Sequence, residues 1–278
     1  MRRMGHGLHR RVRIEPGKRA DLAKIDADDT LGLERDEAEE LVRERQERLE
    51  VLQGYLKWGA AQALVVLFQG MDAGGKDGAV RQLVAGLNPM IVNFVAFGKP
   101  TKEELAHDFL WRIRREVPER GEISLFNRSH YEDVLVVRVD ELVPEPVWRP
   151  RFEVINTFEA ELARQGTTVV KFMLHVSRDE QLERLAERAT LPEKHWKHSA
   201  DDMRKRGQWD AYMEAYEEAI KRTGTEVSPW YVVPADRKWV RNAVVLDTVV
   251  HTLEEMRLPT PTPPEDAAEE LLNRPAGD

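Results

Sequence analysis

The sequence predicts an α/β protein whose parallel sheet is covered by helices on both faces. Five apolar segments alternate with helical patterns along the chain, which is typical of a parallel sheet with crossover helices. A glycine-rich turn also lies directly between the first predicted strand and the next helix, where such sheets bind ligands. The predicted strands cover residues 64–68, 91–97, 123–126, 168–176 and 230–233.

Composition limits the classes of function. The 278 residues suffice for one large domain, and 41% hydrophobic content supports a buried core. The chain has no cysteine, which excludes disulfide scaffolds, thiolate metal sites and cysteine nucleophiles and favours a reducing compartment. A net charge of −8 argues against nucleic acid as a partner. The longest apolar run, 60–68, is too short to cross a bilayer, and no apolar signal segment follows the basic start, so we expect a cytoplasmic protein without membrane contact.

A phosphate-binding loop is predicted at residues 70–77, which have the pattern G-x-x-x-x-G-K. Glycines let backbone N–H groups turn towards phosphate oxygens, the helix N-terminus adds partial positive charge, and Lys76 reaches the terminal phosphates. A purely structural glycine turn is the alternative. The predicted phosphate-binding residues of the loop are Gly70, Ala73, Gly74, Gly75, Lys76, Asp77 and Gly78.

This loop specifies the fold class further: a P-loop kinase-like α/β/α protein with a five-stranded parallel sheet and a helical lid. We expect residues 1–32 to be irregular and 33–258 to form the kinase-like domain, with the lid at about 178–225 and a proline-rich acidic tail at 259–278.

Capping-box spacings predict where two helices begin. Thr101 with Glu104 predicts the start of a helix that continues to about residue 113. Ser177 with Glu180 predicts the start of the first lid helix.

Two aspartates set the loop apart from an ordinary ATPase. Asp77 occupies the position of the usual Ser or Thr ligand of Mg²⁺, and Asp72 lies within the loop. Carboxylates repel phosphates unless a cation lies between them. We therefore expect Mg²⁺, with Mn²⁺ as an alternative, to be held by Asp72 and Asp77, or one of them to orient an acceptor.

A second motif follows the third predicted strand. Asn127 stands where P-loop proteins usually carry an aspartate that helps to hold Mg²⁺. Arg128 is next to it, at the end of the sheet where ligands bind, and a guanidinium suits bidentate phosphate binding. The alternative is a structural arginine paired with Glu132. We predict that Asn127 and Glu132 contact the nucleotide.

Together these motifs resemble those of the polyphosphate kinase 2 family. Residues 70–78, with both aspartates, are similar to the variant loop of that family, and residues 126–132 to its second motif. The resemblance extends over about residues 13–255 and includes 28–30, 107–111, 194–197 and 229–236. Relatives often have alanine at the position of Gly74, and we expect this difference to change little.

The resemblance implies a kinase that uses inorganic polyphosphate, in place of ATP, as donor to a nucleoside mono- or diphosphate. By position, it implies that Asp72 is the catalytic carboxylate, near Mg²⁺ and the acceptor phosphate. It also implies that Lys76 and Arg128 bind the transferring phosphoryl group. The sequence His130-Tyr131-Glu132 resembles the branch that accepts AMP as well as ADP.

A lid rich in cations is predicted between the last two strands. A long polyanion needs more cationic contacts than ATP does, and the cations predicted to bind it are Arg178, Arg184, Arg188, Lys194 and Lys197. Surface ion pairs are the alternative for individual members, and residues 204–206 are expected to be solvated. His195 and His198 have a spacing that zinc could use, but lid packing is favoured because no third ligand is evident.

The main hypothesis is therefore phosphoryl transfer between polyphosphate and nucleotides, catalysed by a homo-oligomer, a dimer or a tetramer. Two other hypotheses stay open. An ATP-dependent nucleotide or small-metabolite kinase would share the fold, the loop and the lid, but not the two loop aspartates. A non-enzymatic P-loop module would not need a dense cationic lid.

Overall fold

A computed structural model describes residues 7–197 and 199–263. The strands are β1 (Ala63–Gln69), β2 (Val92–Ala96), β3 (Ile123–Asn127), β4 (Thr167–His175) and β5 (Trp230–Pro234). The α-helices are α1 (Leu8–Val12), α2 (Arg35–Gly59), α3 (Lys76–Val84), α4 (Trp111–Arg114), α5 (Val136–Val139), α6 (Glu145–Trp148), α7 (Arg151–Arg164), α8 (Arg178–Thr190), α9 (Asp201–Gly207), α10 (Trp209–Thr223) and α11 (Lys238–Glu255). Short 3-10 helices cover Pro89–Ile91, Glu104–Ala106, His130–Asp133 and Pro192–Lys197.

The five strands form one parallel sheet in the order β2-β3-β1-β4-β5. β1 lies at its centre, where Val66 is in register with Leu125 of β3 on one side and Val170 of β4 on the other. Every residue of β1 is buried, which explains its continuous apolar sequence, because a central strand of a covered sheet has no solvent face. The predicted parallel α/β sheet is confirmed.

Each face of the sheet is covered by its own helices. Leu64, Val66 and Phe68 belong to a core cluster with side chains of α2, α3 and α11. Val65 and Leu67 belong to a second cluster, with side chains of α7 and α10. The structure therefore has three layers, and the carboxyl ends of the strands open towards the loops that carry the predicted site. Every helix among the described residues is too short or too polar to cross a bilayer.

The single helix predicted from residue 101 to about 113 is wrong. The capping box does form, since Glu104 N donates to Thr101 Oγ1 at 3.2 Å and Thr101 N donates to Glu104 Oε2 at 2.7 Å. It opens only the 3-10 helix Glu104–Ala106. Asp108 then accepts a hydrogen bond from Leu110 N at 3.0 Å, a local turn that competes with helix continuation and delays α4.

The expectation of an irregular N-terminal segment needs one correction, because it contains α1. Leu8 and Val12 of this helix are buried in the same cluster as α11. The following chain pairs with the edge of the sheet, where Ile14 N donates to the carbonyl oxygen of Trp230 at 2.9 Å. Apolar side chains at both ends of α1 therefore fix the segment on the domain.

Candidate active site

The predicted phosphate loop connects β1 to α3 and opens at the carboxyl end of the sheet. Gly70 and Gly75 have positive φ angles of 147° and 99°, which only glycine adopts without strain. Ala73 is also left-handed, with φ 62°, at a cost of about 1–3 kcal/mol that is typical of functional loops. The backbone thus has the turned conformation that phosphate binding requires.

Gly74 has less freedom than the sequence suggested. A Cβ atom at this position would lie 2.8 Å from the carbonyl oxygen of Met71. Alanine therefore requires the loop backbone to shift, and the expectation that it changes little is not supported by this geometry.

Lys76 begins α3 and folds back over the loop. Its Nζ donates to the carbonyl oxygens of Gly70 at 2.7 Å and Met71 at 3.0 Å. Burial, and then the charge of Arg128, lower the pKa of Lys76 to about 8. The ammonium group thus lies at the loop, where the charge of a bound anion would raise its pKa again.

Asp72 is surrounded by cations. Its carboxylate accepts from Arg128 Nη2 at 2.7 Å and from Lys205 Nζ at 2.9 Å. Burial would raise the pKa of Asp72, but the charges of Lys76, Arg128 and Lys205 together hold it well below its usual range. The side chain is therefore an ionised carboxylate that faces the cleft.

Asp77 is the second loop carboxylate, and it is half exposed. One of its oxygens accepts from Asn127 Nδ2 at 2.8 Å, and the other accepts from Lys197 of the lid. Burial raises the pKa of Asp77, but the hydrogen bonds from Lys197 and Asn127 lower it on balance. The phosphate loop, the second motif and the lid therefore meet at Asp77.

Arg128 adopts a strained backbone conformation, with φ 65°. Its amide donates to the carbonyl oxygen of Phe68 at 3.0 Å, which ties β3 to β1 just beyond the sheet. Its guanidinium contacts Asp72 and also lies 3.9 Å from Glu132. Arg128 therefore fits both hypotheses from the sequence, since it pairs with Glu132 and its guanidinium also faces the phosphate loop.

Asn127 and Glu132 lie on different sides of Arg128. Asn127 lines the main cleft, an opening of about 970 Å³ between the phosphate loop, α11 and the lid. Glu132 lines a small pocket on the other side of Asp72, together with Val136, Tyr212 and Tyr216. Asp72, Arg128 and Lys205 line both spaces, so they stand at the junction between them.

The predicted lid cations have different surroundings. Arg178 is exposed and is not part of the cleft lining, contrary to the prediction that it binds phosphate. Arg184 lines the cleft but is buried, and it donates to the carbonyl oxygens of Ala73 at 3.2 Å and Ala235 at 2.6 Å. It therefore also supports the loop backbone.

The other three predicted lid cations line the cleft and are paired with acids. Arg188 lies 3.1 Å from Asp202, Lys194 contacts Glu187, and Lys197 contacts Asp77. His195 is exposed, and His198 lies outside the described residues. Within the described part of the chain, no cluster of three or more His, Asp or Glu side chains could hold a metal ion.

Sequence reasoning missed five cations that line the cleft, which are Arg81, Lys99, Lys205, Lys238 and Arg241. Lys205 was expected to be solvated, but α9 turns it inwards onto Asp72. Arg241 of α11 is buried against the loop, so close that a Cβ atom on Gly75 would lie 2.4 Å from its guanidinium. Burial, and then the charge of Arg184, lower the pKa of Arg241 to about 10. Lys238 and Arg241 are one helical turn apart and both line the cleft, a spacing that could have revealed them.

This chain is a P-loop kinase. It has a strand–loop–helix unit with a lysine on the phosphate loop, a parallel sheet and a cationic lid. More narrowly, the chain belongs to the polyphosphate kinase 2 family, because the family model described as Polyphosphate kinase 2 (PPK2) matches residues 32–261. The resemblance inferred from the sequence motifs is thereby confirmed.

Individual relatives match along nearly their whole length. The AMP/ADP-polyphosphate phosphotransferase of Meiothermus ruber is 47% identical over 265 residues, with 95% of this chain and 99% of that protein covered. The ADP-polyphosphate phosphotransferase of Rhodopseudomonas palustris is 40% identical, with 95% and 96% covered. The crystal structure of Polyphosphate Kinase 2 from Arthrobacter aurescens TC1 superimposes with a TM-score of 0.90 at 38% identity and 96% coverage of each chain.

Proposed function

We propose that this protein transfers phosphoryl groups between inorganic polyphosphate and nucleotides, converting AMP to ADP and ADP to ATP. The observation that carries the proposal is the charge of the main cleft. Eleven of the described residues that line it are lysine or arginine and six are aspartate or glutamate, although the chain as a whole has a net charge of −8. A cleft with this excess of cations suits a long polyanion better than a nucleoside triphosphate, whose base needs an apolar surface.

We place the acceptor phosphate of the nucleotide at the small pocket beyond Asp72. This pocket has a volume of only about 20 Å³, so the base and ribose must lie outside it. Tyr212 and Tyr216 give this pocket an aromatic wall, and Arg128 and Lys205 lie where it meets the cleft. The names of the relatives from Meiothermus ruber and Rhodopseudomonas palustris support AMP and ADP as acceptors. In this arrangement donor and acceptor approach Asp72 from opposite sides, as an in-line displacement requires.

The residues of the site act by position and charge. Lys76 and the loop amides hold the donor phosphates, and Arg128 and Lys205 neutralise charge on the phosphoryl group as it moves. Arg241, Arg188 and Lys194 hold the polymer further along the cleft. No covalent intermediate on the protein is needed, since the acceptor oxygen attacks the terminal phosphorus directly. The terminal P–O–P bond breaks, and polyphosphate shorter by one unit leaves.

A divalent cation, which we propose to be Mg²⁺ with Mn²⁺ as an alternative, fits the donor set. Asp72 and Asp77 are ionised oxygen donors with lowered pKa values, and Mg²⁺ in kinases uses one or two carboxylates together with substrate phosphates. When bound, the cation would neutralise negative charge on the substrate phosphates. Two protein ligands agree with the lack of a larger acidic cluster among the described residues.

The test is a transfer assay with purified protein, Mg²⁺ and AMP or ADP, with either polyphosphate or ATP as donor. We expect ATP to form from ADP and polyphosphate alone, and ADP to form from AMP and polyphosphate. Product that appears only when ATP is supplied would instead identify an ATP-dependent kinase. An absence of transfer with either donor would favour a binding module. A cytoplasmic location and assembly into a dimer or tetramer stay predictions.

A further inference from the structure

Lys171, in the middle of β4, is the centre of a fully buried polar network. Its Nζ donates to Glu159 Oε2 at 2.6 Å, to the Tyr131 hydroxyl at 3.0 Å and to the carbonyl oxygen of Thr223 at 2.7 Å. The other carboxylate oxygen of Glu159 accepts from the Tyr131 hydroxyl at 2.9 Å and lies 3.1 Å from His130 Nε2. We call these five residues the Lys171 network. All three ammonium donors of the lysine have an acceptor.

The Lys171 network does not touch the substrate spaces. Among the described residues, the linings of the main cleft and the small pocket contain none of its members. His130 and Tyr131 therefore cannot act on a nucleotide by direct contact, although they belong to the second motif. Their side chains point instead into the core between the sheet and α7.

A buried ion pair of this kind is weak evidence for stability. Removing Lys171 and Glu159 from water costs about as much as their attraction returns, and apolar side chains would fill the same space. The better supported benefit of such a pair is that it allows a single arrangement of the segments that it joins. The question is therefore which segments this network holds together.

The network joins the two sides of the small pocket. Tyr131 and His130 follow closely after Arg128, whose left-handed backbone persists only if its neighbours hold it in place. Thr223 is the last residue of α10, and its carbonyl oxygen is held by Lys171. The same helix carries Tyr212 and Tyr216 on the opposite wall of the pocket. One ammonium group thus connects the base of the Arg128 turn with the end of the helix that returns from the lid.

We propose that the Lys171 network positions the acceptor side of the reaction by fixing Arg128 relative to Tyr212 and Tyr216. This inference rests on the proposed function, because it concerns the acceptor phosphate of the nucleotide, which is placed at the small pocket. Lys171 and Glu159 are positioning residues, since they act through the turn and the helix that they hold. Loss of the network should therefore affect the nucleotide more than the polyphosphate.

The experiment compares steady-state kinetics of three variants. The double variant Lys171→Met with Glu159→Gln removes both charges together and keeps similar volumes, so no buried charge is left without a partner. Tyr131→Phe is a milder change that removes one hydroxyl group from the network. Asp247→Asn is the matched control, because Asp247 is equally buried, pairs with Arg45 at 3.0 Å and lies outside both linings.

We expect the double variant to lower kcat/KM for the nucleotide about tenfold or more, with the KM for polyphosphate within about twofold of the wild type. Tyr131→Phe should show the same selective loss to a smaller extent. The control should lose thermal stability without this split between the two substrates.

Two results would overturn the inference. One is that the double variant and Tyr131→Phe resemble the control at comparable loss of thermal stability, and the other is that both KM values rise equally. If the wild-type protein transfers nothing between polyphosphate and nucleotides, the proposed function fails and the inference fails with it. Wild-type turnover with unselective variants refutes the inference alone.

Discussion

Replacing Asp72 with asparagine should separate binding of the polyanion from phosphoryl transfer. The carboxylate lies 2.7 Å from Arg128 and 2.9 Å from Lys205, and these two charges together with that of Lys76 lower its pKa. It is therefore a full negative charge in the wall of a cleft that must accept phosphates. Asparagine has nearly the same shape, but it removes this charge and also one of the two hydrogen bonds that the carboxylate accepts from Arg128 and Lys205.

The expected changes in polyphosphate affinity and in transfer rate differ in sign and size. A carboxylate and a phosphate oxygen about 4 Å apart repel each other by about 4 kcal/mol at the effective dielectric constant of a protein surface. Salt and the neighbouring cations screen most of this energy, so we expect polyphosphate to bind about three- to tenfold more tightly. Transfer should fall about 1,000-fold, or about 4 kcal/mol, because the proposed divalent cation would lose one of its two carboxylate ligands at the reacting phosphate.

The assay combines product separation by ion-exchange chromatography with calorimetric titration of polyphosphate. Asp21→Asn is the control, since it removes the same charge from an exposed aspartate that pairs with Lys24. We expect the control to match the wild type in both measurements. Retention of more than about a tenth of the transfer rate in Asp72→Asn would refute the catalytic role of this carboxylate.

Four further predictions follow from the cations of the site. Because kcat/KM reports the free enzyme and the pKa of Lys76 is about 8, kcat/KM for polyphosphate should fall above about pH 8; a flat profile to about pH 9.5 would contradict this. The pKa of Lys76 is lower in the folded protein than in the unfolded chain, so the charge of Lys76 lowers the stability of the fold below about pH 8. Thermal unfolding should show that this loss of stability fades as the pH rises towards about 10.5. Arg241→Met should raise the KM for polyphosphate about tenfold without loss of thermal stability, whereas Arg178→Met should leave this KM unchanged; equal effects would restore the sequence-based assignment. Lys205→Met should lower kcat by about 10- to 100-fold, whereas Arg204→Met, which removes ion pairs with Asp140 and Asp201 and changes a residue outside the linings of the two substrate spaces, should not. Similar kcat values for the two variants would contradict a role of Lys205 at the phosphoryl group.

Most of the fold could be predicted because it depends on patterns that are local in the sequence. β1 is buried on both faces, so its sequence is apolar without interruption, and the glycine loop and α3 follow at once. The stretch from 101 to 113 could not be predicted in the same way. The Asp108 carboxylate accepts a hydrogen bond from Leu110 N, and this bond competes with a helix that the capping box and the apolar spacing both favour.

The site was predictable where backbone conformation fixes it and less so where tertiary packing does. The positions of Asp72, Lys76 and Arg128 at the ends of strands follow from the motifs. Which lid cation faces the cleft depends on how α8 and α9 are rotated about their axes, and no local pattern specifies this rotation. Arg178 therefore lies outside the cleft lining, and Lys205 lies within it.

The pairing of the lid cations changes how their contribution to binding must be understood. Lys197 contacts Asp77, Lys205 contacts Asp72, and Arg188 contacts Asp202. Polyphosphate must displace these carboxylates, so its affinity is a difference between two sets of ion pairs and is smaller than a count of cations suggests. If Asp72 and Asp77 hold the proposed divalent cation, the displacement also frees their oxygens as ligands when phosphate oxygens arrive. The polymer and a divalent cation should then favour each other's binding by the same free energy, since such coupling is reciprocal. By themselves, the two aspartates of the phosphate loop would only repel the donor. Together with the cation they would make a site that is fully formed only when polyphosphate and the cation are both bound.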